Sequence, residues 1–401
     1  MSSKQLKILL FAAGGAGTHY YGPGMSAYNL YRNLDPGQAS VSLLHGYKGQ
    51  EQYDLFDEQH YISDFQKKSV VSGGQFLWNA RRWIRKNARR FDVVHCLSGY
   101  HHAFVPSIWF EREGVPVFIK ITAVKHGGFR DSSHVSKLLG LWQYRLRNAN
   151  RITGYIAISS AIRRSLIEAG VDKQRIYEIP NGVDTKRYRP VEEVEKSNLR
   201  RTLGLPDKFT VLFCGSFSRR KNPFSVVEAF KKFKKREDVQ LVLVGPDRDG
   251  GEQRTRINKF ISRNGLHNVK LFEMVDDPLP WYQASDLFIL PSSDEGLSNS
   301  LLEAQACGLP ALVTKISGSE DLIEEGRNGM FIRSDLESIS AAIENYLKNR
   351  REFEKQRSGA RRLIAEHYSS RNILRRHLKL FEEASRRSAG RKVKSKRKQE
   401  A

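Results

Sequence analysis

Short runs of apolar residues alternate along this chain with helix-like segments, and this alternation restricts the fold more than any other feature. Several of these runs are continuous rather than alternating in polarity, which is expected of strands buried on both faces of a parallel sheet. In the first half they cover residues 8–11, 41–44, 93–96, 117–121, 155–158 and 176–179. Amphipathic segments such as 25–34 and 76–91 lie between them.

The same pattern then begins again in the second half of the chain. Apolar runs recur at 211–214, 241–244, 269–272, 287–290, 311–313 and 330–332, and helical segments at 225–235, 253–263, 298–307 and 335–349. Repeated strand–helix units with short loops predict an α/β protein with two Rossmann-like, doubly wound parallel sheets. A stretch with Asn181-Gly182 and two prolines, residues 180–190, is the predicted hinge.

These features divide the chain into four parts. An N-terminal domain covers residues 1–185 and a second domain covers 186–365. Residues 366–385 are predicted to form a helix that returns to the N-terminal domain. Residues 386–398 carry eight Lys or Arg with almost no apolar residue, so 386–401 is predicted to be a disordered basic tail.

Composition limits the environment and the partners. The formal net charge of +23 implies a negatively charged partner, such as nucleic acid, an anionic membrane surface or a phosphorylated substrate. The cysteines, Cys96, Cys214 and Cys307, have no metal-ligand spacing and are expected to be reduced and buried. No apolar stretch approaches the roughly 20 residues that a membrane span needs, so we expect a cytoplasmic protein.

The most informative stretch is 287–310, where an apolar strand leads through a small polar loop into a helix. Glu295 lies in the loop and Glu303 about one turn into the helix. The free N–H groups at the start of that helix favour an anion such as a diphosphate, and a carboxylate accepts hydrogen bonds from vicinal ribose hydroxyls. The spacing alone is more typical of a solvated helix face than of a site, but the strand–loop–helix junction favours a site.

A glycine loop, Gly14-Gly15-Ala16-Gly17, follows the first strand. A dinucleotide fingerprint requires a third glycine three residues after the second, and Tyr20 occupies that position. Two interpretations remain. The glycines allow backbone amides to approach a diphosphate, or they only form a tight turn between strand and helix.

These stretches, in this order, resemble the family-4 retaining glycosyltransferases, which have the GT-B architecture, in which two Rossmann-like domains face a central cleft. The resemblance covers most of residues 7–335 and is strongest in the second domain. It rests on the glycine loop, 155–160 with 179–184, the loop 213–222 (FCGSFSRRKN), 282–291, the glutamate pair and 318–329 (GSEDLIEEGRNG).

The resemblance implies a role for each matching position. Glu303 would hold the ribose of a nucleotide-sugar donor, Glu295 would contact the transferred sugar, and Lys221 would neutralise the departing diphosphate. The implied catalytic residues are Glu295, Lys221 and His126. The implied donor-binding residues are Gly14, Gly15, Gly17, Ser216, Arg219, Arg220, Lys221, Met274, Glu295, Gly296, Leu297, Ser298, Asn299 and Glu303.

Not every position has a settled role in this resemblance. Ser216 occupies the place where the family usually has an arginine, and Arg219 and Arg220 are the candidate substitutes. His126 matches a histidine that many members place near the donor sugar, although a loop histidine is also common as polar filler. His101 and His102 follow another strand and are weaker candidates for the acceptor side.

No cofactor or metal ion is implied. Asp247-Arg248-Asp249 spells the aspartate pair of metal-dependent glycosyltransferases of a different fold, but it lies in a Pro/Gly loop and is typical of a solvated turn. Basic residues near the diphosphate would replace a divalent ion.

A basic amphipathic helix is predicted over residues 76–91. Leu77, Ala80, Ile84, Ala88 and Phe91 share its apolar face. The opposite face carries Arg81, Arg82, Arg85, Lys86, Arg89 and Arg90. This face, with the 386–398 tail, is either a peripheral contact with anionic lipid at the inner membrane face or a merely solvated surface.

The primary hypothesis is therefore a retaining glycosyltransferase that uses a nucleotide-sugar donor and a glycan or lipid-linked acceptor. A nucleotide-sugar epimerase or hydrolase of the same fold is the first alternative. The second is a basic protein with a non-catalytic GT-B fold that binds nucleic acid or a membrane surface. Nucleic acid is the less favoured partner because the sequence has no aromatic RNA-binding signature and no helix-turn-helix motif.

Overall fold

A computed structural model of the chain describes residues 5–17, 22–64, 70–124 and 141–400. The chain forms two compact units, one of Met1–Gly182 with Ser370–Ala401 and the other of Val183–Ser369. The first change of unit falls inside the predicted hinge segment, residues 180–190. The second falls close to residue 366, where the C-terminal helix was predicted to begin.

The N-terminal unit contains a seven-stranded sheet in the order β3-β2-β1-β4-β5-β6-β7. All neighbouring strands are parallel. The strands are β1 (Leu6–Ala12), β2 (Ala39–His45), β3 (Gln59–Tyr61), β4 (Val93–Leu97), β5 (Val117–Ile121), β6 (Gly154–Ala157) and β7 (Ile176–Glu178). The strand order reverses between β1 and β4, and ligands of such sheets bind beyond the carboxyl ends of the strands at this point.

The helices of this unit, as far as the structure describes them, connect successive strands. They are α1 (Gly22–Tyr31), α2 (Val70–Asn87), α3 (His101–Arg112), α4 (Leu141–Asn148) and α5 (Ser160–Glu168), with 3-10 turns at Ala88–Arg90, Ala149–Arg151 and Lys173–Arg175. The core face predicted for the basic helix is buried at Ala80, Ile84, Ala88 and Phe91, and Leu77 is half-buried.

The C-terminal unit contains a six-stranded parallel sheet in the order β10-β9-β8-β11-β12-β13. The strands are β8 (Phe209–Cys214), β9 (Val239–Val244), β10 (Val269–Phe272), β11 (Leu287–Leu290), β12 (Ala311–Thr314) and β13 (Gly329–Ile332). The order reverses between β8 and β11. The loops that follow these two strands are therefore neighbours at the edge where a ligand is expected.

The helices of the C-terminal unit complete its strand–helix repeats. They are α6 (Glu193–Thr202), α7 (Pro223–Phe230), α8 (Glu252–Asn264), α9 (Leu279–Gln283), α10 (Asn299–Ala306), α11 (Leu336–Lys348) and α12 (Arg350–His367), with a 3-10 turn at Lys231–Phe233. Cys96, Cys214 and Cys307 are buried in the two units and form no disulfide, as predicted.

The final helix, α13 (Ser370–Glu400), belongs to the N-terminal unit. Its apolar residues Ile373, Leu374 and Phe381 pack in the same core as β1 and β2. The helix continues to Glu400, where the sequence predicted a disordered tail from residue 386. Lys, Arg, Gln, Glu and Ala are good helix formers, and a helix that is already anchored adds further turns at low cost. Ser388, whose Oγ donates to the carbonyl of Gly114 at 2.9 Å, anchors this extension.

Candidate functional site

The loops after β8 and β11 bring the predicted cation and the predicted carboxylate together. Lys221 Nζ lies 2.7 Å and Arg220 Nη1 lies 2.8 Å from the same oxygen, Oε1 of Glu295. Arg220 also donates to the carbonyl of Asp294 at 2.6 Å, and its own carbonyl accepts from the Ser293 amide at 2.9 Å. The two loops therefore support each other through both side chains and backbone.

The electrostatics of Glu295 follow from this arrangement. Burial would raise the pKa of Glu295, but the positive charges of Lys221 and Arg220 outweigh that effect and hold the pKa below its ordinary value. The carboxylate is 10% exposed and Lys221 is 11% exposed, whereas Arg220 is 43% exposed. The three groups carry a net charge of +1, which suits an anionic ligand.

Glu303 lies on α10 in a different environment. Tyr282 donates a hydrogen bond from its hydroxyl to Oε2 of Glu303 at 2.9 Å. Burial raises the pKa of Glu303 to about 7, although the Tyr282 hydrogen bond and the charges of Arg187 and Lys221 act in the opposite direction. Lys221 thus interacts electrostatically with both glutamates, and the two carboxyl groups differ in pKa because only Glu295 is ion-paired.

The helix α10 begins where the sequence predicted, and a side chain caps its start. Ser298 is the N-cap, and its Oγ accepts from the Leu301 amide at 3.4 Å. Gly296 lies two residues before Ser298 and is in close contact with Gly318. A Cβ on Gly318 would lie 2.3 Å from the Gly296 carbonyl oxygen. Gly318, with φ of 83°, therefore allows the loop after β12 to support the backbone that the resemblance assigned to the sugar.

The two candidate substitutes for the arginine absent at Ser216 have different partners. Arg220 contacts Glu295, as described above. Arg219 instead points to the loop after β9, where its side chain lies 2.7 Å from Glu252 and its amide donates to Asp249 at 3.0 Å. Ser216 itself is half-buried in the loop after β8. Of the two arginines, Arg220 thus has the contacts expected of the substitute.

An unpredicted arginine joins the carboxyl ends of several strands of this sheet. Arg254 on α8 donates to the carbonyls of Gly245 and Phe272, which follow β9 and end β10, and it forms an ion pair with Asp247 at 2.9 Å. Its guanidinium also lies 4.7 Å from the ring centroid of Phe217. Met274 is half-buried in the loop that follows Phe272.

The aspartates of the Asp247-Arg248-Asp249 loop are thus engaged with Arg254 and with the Arg219 amide. In the parts of the chain that the structure describes, no group of three or more His, Cys, Asp or Glu side chains is arranged to hold a metal ion.

The glycine loop lies after β1, at the point where the order of the N-terminal sheet reverses. Gly15 and Gly17 have φ of 84° and 75°, values that favour glycine. The loop amides already have acceptors within this unit. Gly15 donates to the Ala12 carbonyl at 2.8 Å, Ala16 to the Gln50 side chain at 2.9 Å and Gly17 to the Gly24 carbonyl at 3.4 Å. The predicted role of these amides at a diphosphate therefore requires them to exchange partners.

The structure describes two of the three histidine candidates. His126 lies outside the described residues. His101 and His102 begin α3 at the carboxyl end of β4, and the His102 ring stacks on Tyr100 with centroids 5.5 Å apart. Burial lowers the pKa of His102 to about 3, so the ring is neutral at ordinary pH.

The outer face of α2, taken here with the 3-10 turn Ala88–Arg90 that continues it, carries the predicted basic residues and one exposed tryptophan. Arg81, Arg82, Arg85, Lys86, Arg89 and Arg90 are all exposed. Trp78 is 72% exposed, whereas Trp83 is half-buried and stacks on Phe91. Arg90 forms an ion pair with Glu58, and Arg89 lies 3.3 Å from Glu113. Searching the described residues for membrane spans gives no helix with the length and apolarity to cross a bilayer.

Two family models match the chain in succession. Residues 20–187 match Glycosyltransferase Family 4, and residues 195–363 match Glycosyl transferases group 1. A D-inositol 3-phosphate glycosyltransferase from Paenarthrobacter aurescens is 31% identical over 169 residues, which span 41% of this chain and 40% of that relative. The match therefore spans less than half the length of that relative.

A longer match includes both units. A UDP-Gal:alpha-D-GlcNAc-diphosphoundecaprenol alpha-1,3-galactosyltransferase from Escherichia coli is 30% identical over 285 residues, covering 69% of this chain and 70% of the relative. Among solved structures, Anabaena HepE in complex with UDP and glucose superposes with a TM-score of 0.76 at 19% identity, covering 94% of this chain and 100% of that one. The predicted GT-B fold is thereby confirmed.

Proposed function

Because the chain belongs to glycosyltransferase family 4, we propose that it transfers a sugar from a nucleotide-diphosphate sugar to a glycan or lipid-linked acceptor. We further propose that the transfer retains the configuration at the anomeric carbon and needs no metal ion. The observation that carries the proposal is the group of Lys221, Arg220 and Glu295, with Glu303 interacting electrostatically with Lys221. This group lies where the strand order of the C-terminal sheet reverses.

The cations supply the chemistry that the leaving group needs. When the bond between the sugar and the diphosphate breaks, negative charge develops on the departing phosphate oxygen. Lys221 and Arg220 are held next to each other by Glu295 and by the backbone of the neighbouring loop, so a local exchange of the Glu295 oxygen for a phosphate oxygen would let them stabilise that charge. Two fixed cations also give a reason why a divalent ion is not required.

The carboxyl groups divide the recognition of the donor. Glu303 would accept hydrogen bonds from the ribose hydroxyls, and Tyr282 holds the Glu303 side chain for that purpose. Glu295, with the backbone of Gly296 and Leu297, would bind hydroxyls of the transferred sugar. Ser298 and Asn299, at the start of α10, would present backbone N–H groups to the diphosphate.

The relatives suggest which donors to test first. The Escherichia coli relative is named for UDP-Gal and a diphosphoundecaprenol-linked acceptor, and the HepE structure contains UDP and glucose. We therefore take uridine diphosphate sugars as the first donors and a lipid-linked glycan as the first acceptor. Retention rests on the family resemblance and is tested by the anomeric configuration of the product, read by NMR.

Thermal melting with nucleotides tests the donor site directly. A ligand that binds only the folded protein stabilises it by about 2.7 kcal/mol at a hundredfold excess over its Kd. We expect UDP and UDP-sugars to raise the Tm in the presence of a chelator, and Glu303→Ala to abolish the shift. Glu337→Ala, which removes an exposed glutamate paired with Lys232 in the same unit, is the matched control.

Turnover then separates this proposal from its alternatives. Release of nucleoside diphosphate that depends on an acceptor supports transfer. Release at the same rate without an acceptor would indicate a hydrolase, and the absence of a Tm shift with UDP, GDP, ADP and CMP compounds would contradict the donor site itself.

We also propose that the outer face of α2 binds an anionic membrane surface. Each basic residue near such a surface contributes about 1 kcal/mol, and tryptophan is enriched at membrane–water interfaces. The exposed Trp78 lies on the same helix as four of the six exposed basic residues, and the other two, Arg89 and Arg90, lie in the 3-10 turn that continues this helix. The basic residues of 386–398 are the second predicted contact.

Vesicle co-sedimentation tests this contact. Arg82→Glu with Arg85→Glu is expected to weaken binding to vesicles containing phosphatidylglycerol by about tenfold or more, because two attractive charges become repulsive. The matched control is Lys259→Glu with Arg263→Glu, which reverses two exposed charges on α8 in the C-terminal unit. Equal loss in both double variants would mean that only the net charge matters and that α2 is not the docking surface.

A further inference from the structure

The glycine loop of the N-terminal unit is held by a second segment that carries no recognisable sequence motif. This segment, residues 47–53, follows β2 and is called the brace here. Its two functional side chains are Gln50 and Tyr53. Both contact the glycine loop over a separation of 34 or 36 residues in the chain.

Gln50 satisfies both backbone groups of one loop residue. Its Oε1 accepts from the Ala16 amide at 2.9 Å, and its Nε2 donates to the Ala16 carbonyl at 2.8 Å. Its second amide hydrogen is directed to the Glu51 carbonyl at 2.9 Å, which fixes the carboxamide within the brace. Ala16 is fully buried, so each of these backbone groups needs a partner and finds it in Gln50.

Tyr53 supports the next residue of the loop. Its hydroxyl lies 2.7 Å from the Gly17 carbonyl and 2.7 Å from a carboxylate oxygen of Glu51. The Tyr53 ring packs on Tyr28 of α1, with centroids 4.9 Å apart. The brace therefore fixes the glycine loop at two successive residues.

The glycines of the loop make room for this brace. A Cβ on Gly15 would lie 2.6 Å from Oε1 of Gln50, and a Cβ on Gly17 would lie 2.7 Å from the ring of Tyr53. Glycine is the residue with the greatest conformational freedom, and fixing one residue costs about 1–2 kcal/mol. A glycine-rich loop needs external contacts to keep one conformation, and the brace supplies them.

We propose that Gln50 is a positioning residue for sugar transfer, with Tyr53 as its second support. Gln50 fixes the shape of the glycine loop through both backbone groups of Ala16 and not by contact with the substrate, so the loop meets the donor through its shape rather than through the amides that are already engaged. This inference rests on the proposed function and on the family resemblance, which implies that the glycine loop contacts the donor. A displacement of about 1 Å in a group that orients a substrate lowers a rate by up to about a hundredfold.

The first test replaces the carboxamide with a side chain of similar size and no hydrogen bonds. Gln50→Leu is expected to lower kcat by about tenfold to a hundredfold. The affinity for UDP alone is expected to fall less than kcat does, because most of the proposed nucleotide contacts belong to the C-terminal unit. Gln38→Leu is the matched control. The side chain of Gln38 also accepts a hydrogen bond from a backbone amide, that of Asp35, in a turn of the same unit.

The second test distinguishes positioning from a general loss of stability. In Gln50→Glu, an ionised carboxylate still accepts from the Ala16 amide but repels the Ala16 carbonyl. A protonated carboxyl group accepts with one oxygen and donates with the other, as the native amide does. The kcat of Gln50→Glu relative to the native protein is therefore expected to rise as the pH is lowered from about 7.5 to about 5.5, by at most about tenfold per pH unit. The relative kcat of Gln50→Leu is expected to stay level.

The outcomes are distinct. Native kcat in Gln50→Leu, or a fall matched by Gln38→Leu, overturns the positioning role and leaves the proposed function intact. A level relative kcat in Gln50→Glu also overturns it, because the loss would then come from folding alone. A native protein that releases no nucleoside diphosphate from any donor, with any acceptor, overturns the proposed function and the assignment of Gln50 with it.

Discussion

Glu295, Lys221 and Arg220 are joined through one carboxylate oxygen, since both cations lie within 2.8 Å of Oε1. A diphosphate would compete with that oxygen for the same two cations. If the cations turn to the phosphates, Glu295 gains a free acceptor for a sugar hydroxyl. The same three residues thus connect leaving-group stabilisation with sugar recognition.

The two arginines of the loop after β8 provide a matched comparison. Arg220 contacts Glu295, whereas Arg219 contacts Glu252. Removal of one donor that stabilises developing charge costs about 10²–10³ in kcat. We expect Arg220→Ala to lower kcat at least about tenfold more than Arg219→Ala, as measured by acceptor-dependent nucleoside diphosphate release. Equal losses, or a larger loss in Arg219→Ala, would show that Arg220 does not replace the arginine absent at Ser216.

The pKa of Glu303 predicts how donor binding depends on pH. Burial raises this pKa to about 7, so the side chain gains a proton as the pH falls below that value. The ionised form accepts hydrogen bonds at both oxygens, so we expect UDP-sugar binding to weaken below pH 7, by at most about tenfold per pH unit.

Calorimetry between pH 8 and pH 6 measures this dependence. The ligand is a nucleotide sugar, because a free terminal phosphate has its own ionisation near pH 6. Glu303→Gln carries no titrating proton and is expected to bind with an affinity that is level over this range. A native protein that binds equally well at both ends of the range would rule out ionised Glu303 as the ribose acceptor.

At the scale of elements, strands that carry an apolar run were predictable, including the edge strand β10, whereas the edge strand β3 was not. The bounds of β5, β10 and β11 agree with the apolar runs 117–121, 269–272 and 287–290. The edge strand β3 has the sequence Gln-His-Tyr and carries no apolar run. It forms because β2 offers an unpaired edge, with the amide of Leu43 donating to the Glu58 carbonyl at 2.8 Å. Periodicity cannot reveal a strand whose pairing depends on a neighbour rather than on burial.

The same limit applies to the attachment of helices. Asp286 was noted only as part of a motif before β11. In the structure it accepts hydrogen bonds from Lys196 and Arg200, both on α6, and from the amide of Thr210 in β8. These charges are buried but satisfied, which favours one attachment of α6 to the sheet. The partners are 76 to 90 residues away from Asp286 in the chain, so no local pattern identifies them.

In the candidate site, too, some residues could be predicted from sequence motifs and others could not. The resemblance assigned expected roles to Glu295, Glu303 and Lys221 because each has a fixed place in a motif. It did not identify Tyr282, Arg254 or Gln50 as functional, since their roles depend on what the fold brings next to them. Only the structure supplies the partner of each of these side chains.

At the scale of the whole molecule, the last helix joins the end of the chain to its beginning. His377 on α13 is fully buried, and its ring lies 5.4 Å from that of His95 in β4. The groups that face this pair are Lys120 in β5, Tyr31 in α1, whose hydroxyl is 2.7 Å from Nδ1 of His95, and Arg376 on α13. Burial, with the charge of Lys120, lowers the pKa of His377 to about 3 and that of His95 well below its ordinary value.

This pair makes the stability of the N-terminal unit depend on pH. Both histidines are neutral in the folded protein, but in the unfolded chain they gain protons below their ordinary pKa of about 6.5. The unfolded state therefore binds more protons, and stability is present above pH 6.5 and falls as the pH is lowered toward 3. Each histidine contributes up to about 1.4 kcal/mol per pH unit in this window.

Replacement of one histidine tests the assignment. Gln in place of His377 keeps an N–H donor for the Ile373 carbonyl, which Nδ1 of His377 contacts at 2.9 Å, but does not titrate. Between pH 7.5 and pH 5, His377→Gln is expected to lose less Tm than the native protein, because one of the two titrating groups is gone. The exposed His267 of the C-terminal unit provides the control, and His267→Gln should follow the native pH profile. If His377→Gln also followed the native profile, the acid sensitivity would arise elsewhere in the molecule, and the contact between α13 and β4 would contribute to packing alone.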